Sequence, residues 1–206
     1  MRQQQRKEET RRRMLAAASR SFRAQGFSGV GVDAIAKAAG ATSGAFYAHF
    51  GSKDGAFEAA LVAGLDEVIE GIAKFRAEAG SDWVRGFAEY YLGRSHRADL
   101  ACGCAMATLS PEVVRAGAET HAAYEAKMTR IADLVADGLA GGSRGERRAR
   151  AWAMLGVLIG GLTLARAVES PQLAHEIATA VREAAVKAAG DARGVLADKN
   201  RHATDR

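Results

Sequence analysis

Apolar residues recur every three or four positions along most of the chain, and stretches that alternate as a half-buried strand would are missing. In a first helix expected over 8–25, Met14, Leu15, Ala18 and Phe22 share one face, with Gly26 placed to end it in a left-handed conformation. Thr10 is a possible cap, although Glu8 and Glu9 favour an earlier start. Two short helices follow, over 32–39 and 43–50; Gly40 stops the first, Thr42 caps the second, and Gly51-Ser52 breaks it. A much longer helix begins at Lys53, and Phe57, Leu61, Leu65, Val68, Ile69, Ile72 and Phe75 form its stripe toward Gly80. Beyond it the pattern predicts a helix over 82–97 and a short apolar segment over 101–109. A long helix is then expected over 112–139, with Pro111 suited to its first position. Two more, over 144–168 and 171–189, are separated from it by the hinge and cap Gly141-Gly142-Ser143. The reading is all-α, with about nine helices, followed by a polar and charged tail over 190–206 expected to be disordered.

Composition agrees with this pattern: 48% of residues are hydrophobic, only two are Pro, and Ala-rich windows favour helix. The formal net charge of +5 matters less than where it falls. Arg2, Arg6, Lys7, Arg11, Arg12, Arg13, Arg20 and Arg23 crowd the start of the chain, opposed there only by Glu8 and Glu9. Such a cluster beside a folded helix suits a polyanion, either nucleic acid or an anionic membrane surface, and a solvated basic tail would look the same. No secretory signal is expected, because no apolar run follows the basic start. The most apolar stretch, over 152–165, fits a buried helix better than a membrane span. Two cysteines, Cys102 and Cys104, are too few and too close for a disulfide framework and fit a reducing, cytoplasmic location.

Two short helices joined by a glycine-containing turn make a helix-turn-helix, whose second helix enters the DNA major groove. Here the unit spans 32–50 and turns at Gly40-Ala41-Thr42. Gly26-Phe27, Ile35-Ala36, Ala39-Gly40, Gly44, Tyr47, His49-Phe50 and Ser52-Lys53 stand at the positions of a longer pattern. In these residues the chain resembles the TetR/AcrR family of bacterial repressors. The pattern covers the N-terminal quarter, and the rest agrees in length and helical layout.

The chemistry of each position supports DNA contact. Thr42 and Ser43 offer hydroxyls and free N–H groups at a helix N-terminus, which attracts phosphate. Gly44 lets the backbone approach closely, Ser43 can bond a base edge, and Ala45 can meet a thymine methyl. Tyr47, His49 and Lys53 are placed for phosphates, and Arg12, Arg13 and a flexible arm over 2–7 for backbone or minor groove. Structural roles are open to the same residues: Tyr47 can pack on the first helix, His49 can be a satisfied structural group, and Phe46 and Phe50 suit the core. Gly31 replaces the usual hydroxyl cap of the second helix, Ala41 replaces the usual Val of the turn, and Ala45 and Ala48 replace more polar residues. The resulting helix is poor in base-specific side chains, which shifts readout toward backbone contacts and DNA shape.

The expected organisation is a DNA-binding domain over 1–52, a helical ligand-binding and dimerisation domain over 53–189, and the tail. The resemblance implies that the last two helices pair with those of a second copy in a four-helix bundle, and that a homodimer reads a palindromic operator in double-stranded DNA. Trp152, Leu155, Ile159 and Leu162, with the small Gly160-Gly161, are the expected interface. Leu65, Ile69, Trp83, Phe87, Tyr90, Tyr91, Met106, His121, Tyr124 and Met128 are the expected pocket lining, suited to a small hydrophobic or aromatic inducer. Each of them is also an ordinary core residue. Cys102-Gly103-Cys104 offers an alternative, an electrophile- or redox-responsive thiol switch, although a buried small residue explains each Cys as well. No catalytic constellation, metal set or cofactor motif is expected, so an enzyme is disfavoured. A nonspecific architectural DNA-binding protein would share the basic arm but would not need the aromatic-rich body.

Overall fold

The computed structural model describes residues 2–190, so nearly all of the expected tail lies outside the described residues. Ten α-helices and one 3₁₀ turn make up the regular structure there, which is all-α as the periodicity requires. In order they are α1 (Arg2–Gln25), α2 (Val32–Ala38), α3 (Ser43–Phe50), α4 (Lys53–Ala79), the 3₁₀ turn Gly80–Asp82, α5 (Trp83–Tyr91), α6 (Arg94–Ala98), α7 (Ala105–Val113), α8 (Ala118–Gly138), α9 (Arg144–Ala167) and α10 (Pro171–Ala188).

Three boundaries differ from the sequence reading. The basic arm is helical and part of α1, and Thr10 donates its hydroxyl to the Arg6 carbonyl one turn back instead of capping the helix. The segment expected over 82–97 breaks at Leu92-Gly93, where His96 Nδ1 lies 2.7 Å from the Tyr91 carbonyl and Arg97 Nη1 donates to that of Leu92 at 2.7 Å. These two side chains satisfy carbonyls that the broken helix leaves open. Pro111 sits inside α7 and does not open the next helix. Turn bonds from Arg115 N to Glu112 O (3.0 Å) and from Ala116 N to Val113 O (2.9 Å) then separate α7 from α8.

The chain divides into two compact units, with boundaries inside α4 and α8. The first contains residues 1–68 and 99–129. Its core takes Met14, Ala18 and Phe22 from α1, Ile35 from α2, Phe46 from α3, Phe57, Leu61 and Leu65 from α4, and Met106 and Leu109 from α7. Phe22, Phe27 and Phe57 interlock with ring centroids 5.4 to 6.0 Å apart, a spacing that favours aromatic pairs. Gly26, at φ +73°, ends α1 and lets the chain turn into this cluster. Across the same unit Lys127 Nζ meets Asp66 Oδ1 at 2.5 Å, and Arg23 Nη2 meets Glu67 Oε2 at 2.8 Å.

The second unit contains residues 69–98 and the described residues from 130 onward. The C-terminal carbonyls of α8 are satisfied from outside that helix: Arg76 Nη1 donates to Leu134 O at 3.0 Å and Trp83 Nε1 to Gly138 O at 3.1 Å. α9 opens with a reciprocal capping box between Ser143 and Glu146. The Glu146 carboxyl titrates below its ordinary value, first because the Ser143 N–H bonds it and second because of the Ser143 side chain. Ser170 caps α10, whose first residue is Pro171. Between these last two helices Val181 fills the space that a side chain at Gly161 would need.

Candidate nucleic-acid interface

The turn between α2 and α3 is fixed by backbone chemistry. Gly40 adopts φ +63°, a conformation that costs an L side chain roughly 1–2 kcal/mol. Ala41 N bonds back to Ala36 O at 2.9 Å, and Thr42 Oγ1 accepts from Ala45 N at 3.2 Å, which caps α3 as expected. α2 opens at Gly31 with no side-chain cap. Phe46 is fully buried and anchors α3 to the first unit's core. Phe50 is half-buried, with the Arg11 guanidinium 5.7 Å from its ring centroid.

With Phe46 turned inward, α3 presents its other side to solvent. Gly44 is exposed and Tyr47 is 52% exposed, with its ring edge-to-face against Phe46 at 5.7 Å. Ala45 and His49 are half-buried. A Cβ at Gly44 would meet only Thr42 Oγ1, at 3.9 Å, so nothing inside the unit demands glycine there. Helical glycine costs about 0.5–1 kcal/mol relative to alanine. Gly44→Ala is therefore expected to raise unfolding free energy by up to about that amount while weakening DNA binding, because the methyl stands where backbone and DNA would meet. Urea unfolding and fluorescence anisotropy on one preparation check this. Unchanged DNA affinity would remove Gly44 from the interface.

The remaining expected contacts are partly engaged. Ser43 donates its hydroxyl to Asp33 Oδ1, so the hydroxyl is held by the start of α2 and is not free for a base. Lys53 Nζ stands 4.5 Å over the Phe27 ring, a cation–π contact at the start of α4. Arg13 is exposed with its Nη1 beside the turn, 3.6 Å from where a Cβ on Gly40 would sit. Arg12 is also exposed and pairs with Glu9 at 2.8 Å. Sequence reasoning missed Asp33, ten residues from Ser43, because an acid in a helix's first turn reads as a dipole partner.

The profile described as bacterial regulatory proteins of the tetR family matches residues 14–60, which run from α1 through the turn into α4. Residues 14–60 belong to the TetR family. A curated relative, the HTH-type transcriptional regulator BetI of Stenotrophomonas maltophilia (strain R551-3), is 44% identical over 57 residues. That stretch is 28% of this chain and 29% of the relative, so the chain matches well under half the length of that protein. The fold extends further than the sequence match. Reduced NemR of E. coli aligns with a TM-score of 0.70 at 18% identity, over 84% of this chain and 95% of that one. SCO4454, a TetR-family regulator of Streptomyces coelicolor, aligns at 0.69 and 23% identity, over 88% and 97%. A TetR-family regulator of Cytophaga hutchinsonii aligns at 0.74 and 12% identity, over 88% and 96%. The described helices therefore have the fold of TetR-family regulators.

The residues expected to form an inducer pocket fall in both units. Leu65, Met106, His121, Tyr124 and Met128 belong to the first unit, and Ile69, Trp83, Phe87, Tyr90 and Tyr91 to the second. Leu65, Trp83, Phe87, Tyr91, Met106 and Met128 are buried core, Ile69 and Tyr124 are half-buried, and His121 and Tyr90 are exposed. The Tyr124 hydroxyl bonds Ser110 at 2.8 Å. None of the ten lines the cleft of about 790 Å³ that the second unit contains between α5, α6, α9 and α10. Arginines dominate that cleft, and sequence reasoning missed them because Arg94 and Arg97 lie some seventy residues from Arg166.

Of the four expected interface residues, Leu155 and Leu162 are buried within their own unit. The outward face of α9 is instead Trp152, Gly156, Gly160 and Leu164, with Ile159 half-buried at its edge. Of the two free cysteines, Cys102 is exposed and Cys104 half-buried. Among the described residues no group of three or more His, Cys, Asp and Glu is placed to hold a metal ion. No helix of the described residues is long and apolar enough to cross a membrane.

Proposed function

We propose that this protein is a homodimeric transcriptional repressor that binds a palindromic operator through residues 1–52 and is released by a small effector held by residues 53–189. The observation that carries the reading is the solvent-facing side of α3, where Gly44 and Tyr47 are exposed while Phe46 holds the helix in place. A tyrosine that size, left outside the core on a helix otherwise short of polar groups, suits a phosphate contact. The dimer reading is supported by α9, whose exposed face joins Trp152 and Leu164 to Gly156 and Gly160, with no atom of another helix within 4 Å of a Cβ at either glycine. Small residues between large apolar ones let a second helix approach closely. Two headpieces related by a two-fold axis would then meet two half-sites.

Selection of operators from random duplexes, followed by anisotropy against random competitor DNA, tests the reading. The expected outcome is a specificity ratio of at least about 10³ for a palindrome, with the protein dimeric on gel filtration. Tyr47→Ala is expected to weaken operator binding by about ten-fold, the value of one charge-assisted hydrogen bond, with an unchanged melting temperature. A specificity ratio near one would leave a nonspecific DNA-binding protein, and a monomer would remove the palindrome.

A further inference from the structure

The cleft of the second unit gathers cations from three helices. α6 contributes Arg94 and Arg97, α9 contributes Arg166 from its last turn, and α10 contributes Arg182, with the His175 imidazole on the same wall. A single carboxylate, Glu89, stands among them. Arg97 donates to the Leu92 carbonyl at 2.7 Å, and Arg166 donates to the carbonyls of His96 at 2.7 Å and Arg97 at 3.3 Å. These bonds hold both guanidinium groups in position. Among the described residues no carboxylate forms an ion pair with Arg94, Arg97 or Arg182.

Like charges gathered around one concavity repel each other, and the low-dielectric wall strengthens the potential they share. An anion placed among them turns that repulsion into attraction. Guanidinium is planar and presents paired N–H groups matched to a carboxylate or a phosphate. The wall between the arginines is apolar: Leu92, Ala165 and Ala178 are buried there, and Ala174 is half-buried. A volume of about 790 Å³ lies within the roughly 300–1,000 Å³ usual for small-molecule sites. The first turn of α10, with Pro171 and Gln172 on the rim, adds the positive end of an 18-residue helix.

We propose that this cleft binds a small organic anion, a carboxylate or phosphate monoester on a short apolar body. The side chains that form it lie on a different face of α10 from Leu173, Ala180 and Ala184, and on a different face of α9 from Gly160 and Leu164. The cleft thus stays open when the outward face of α9 is covered. Its role as the effector site rests on the repressor reading above, while anion binding itself does not. It also changes the expected chemistry of the effector, from purely apolar to apolar with a fixed negative charge.

Calorimetric titration of the full chain, without DNA, tests this with 4-phenylbutyrate, phenyl phosphate and the neutral 4-phenylbutanamide. At least one anion is expected to bind with a Kd of about 1 mM or tighter, and the amide at least about ten-fold more weakly, since it lacks the charge the arginines recognise. Whichever anion binds more tightly identifies the carboxylate or the phosphate as the preferred head group. The Arg94→Gln/Arg182→Gln variant keeps the anchored Arg97 and Arg166, and circular dichroism checks its fold. It is expected to lose about ten-fold in anion affinity with its melting temperature unchanged. Equal binding of acid and amide, no binding of either anion up to about 5 mM, or wild-type affinity in the folded double variant would each overturn the proposal. Because no DNA is present, that failure leaves the repressor reading intact, and failure to find an operator leaves the anion result intact.

Discussion

Gly161→Ala is expected to lower the unfolding free energy by about 2–3 kcal/mol, the upper range for overpacking a close-fitted core. The added Cβ would stand 2.1 Å from Val181 Cγ1, 2.6 Å from Cγ2 and 2.8 Å from Val181 Cβ. Valine in a helix has one strongly preferred χ1 rotamer, so its methyls cannot swing aside and α9 must move away from α10. Gly160→Ala, one residue earlier, is the control. Nothing lies within 4 Å of its Cβ, and helix propensity alone predicts a gain of up to about 1 kcal/mol in the isolated chain. Urea unfolding of both variants reads the contrast. A second cycle with Val181→Ala should recover much of the loss at Gly161, because it removes the atoms that the new methyl strikes. Equal stability of the two alanine variants would mean that α9 and α10 are not packed through Gly161.

The Gly160-Gly161 pair shows where the sequence stops being informative. Both glycines sit on an apolar helix, and periodicity cannot tell which one faces the chain's own α10 and which one faces outward. The same ambiguity hides the burial of Leu155 and Leu162 within their own unit, since a helix that is apolar nearly all round has no polar face to mark the outside. Where local chemistry decides, the reading succeeds. Thr42 and Ser143 cap the helices they precede, and Gly40 and Gly51 adopt the positive φ that their turns require. The helix-turn-helix was legible because its determinants lie within a few residues of one another. Pro111 was misread since its position favours a helix start only when no turn has already formed, and α7 is already wound when the chain reaches it. The arginine cleft was invisible for the opposite reason: its cations are distant in sequence and each alone is a solvated surface charge. Ser43 lies between these cases. Its place at the start of α3 was legible, but its bond to Asp33 depends on how α2 and α3 pack.

Glu67→Ala is expected to cost about 1–2 kcal/mol, because it leaves the Arg23 guanidinium buried without its counter-charge. The Arg23 side chain is 5% exposed, its Nη2 meets Glu67 Oε2 at 2.8 Å, and its Nε is buried without a hydrogen-bond partner in the described structure. Glu67 is 64% exposed, which keeps the effect below the roughly 3–5 kcal/mol seen when a fully buried pair is broken. Gly64 makes the arrangement possible: a Cβ there would stand 2.5 Å from Arg23 Nη2 and 2.7 Å from the Ala105 Cβ, so the guanidinium crosses α4 where the helix has no side chain. Arg23→Met keeps most of the stem and removes both the charge and the unpartnered Nε, so its cost is expected to fall below about 1 kcal/mol. In the Arg23→Met background Glu67→Ala should cost almost nothing, since no buried charge remains to be stranded. Urea unfolding at low and high salt measures the cycle, and a full, salt-independent loss at Glu67 in the methionine background would show that Glu67 acts by packing. The pair joins the last turn of α1 to α4 at a residue just beyond the 14–60 match. Arg23→Met therefore removes an electrostatic tie between the DNA-binding helices and the rest of α4, while leaving the apolar contacts of Phe22 and Phe57 to hold α1 against α4.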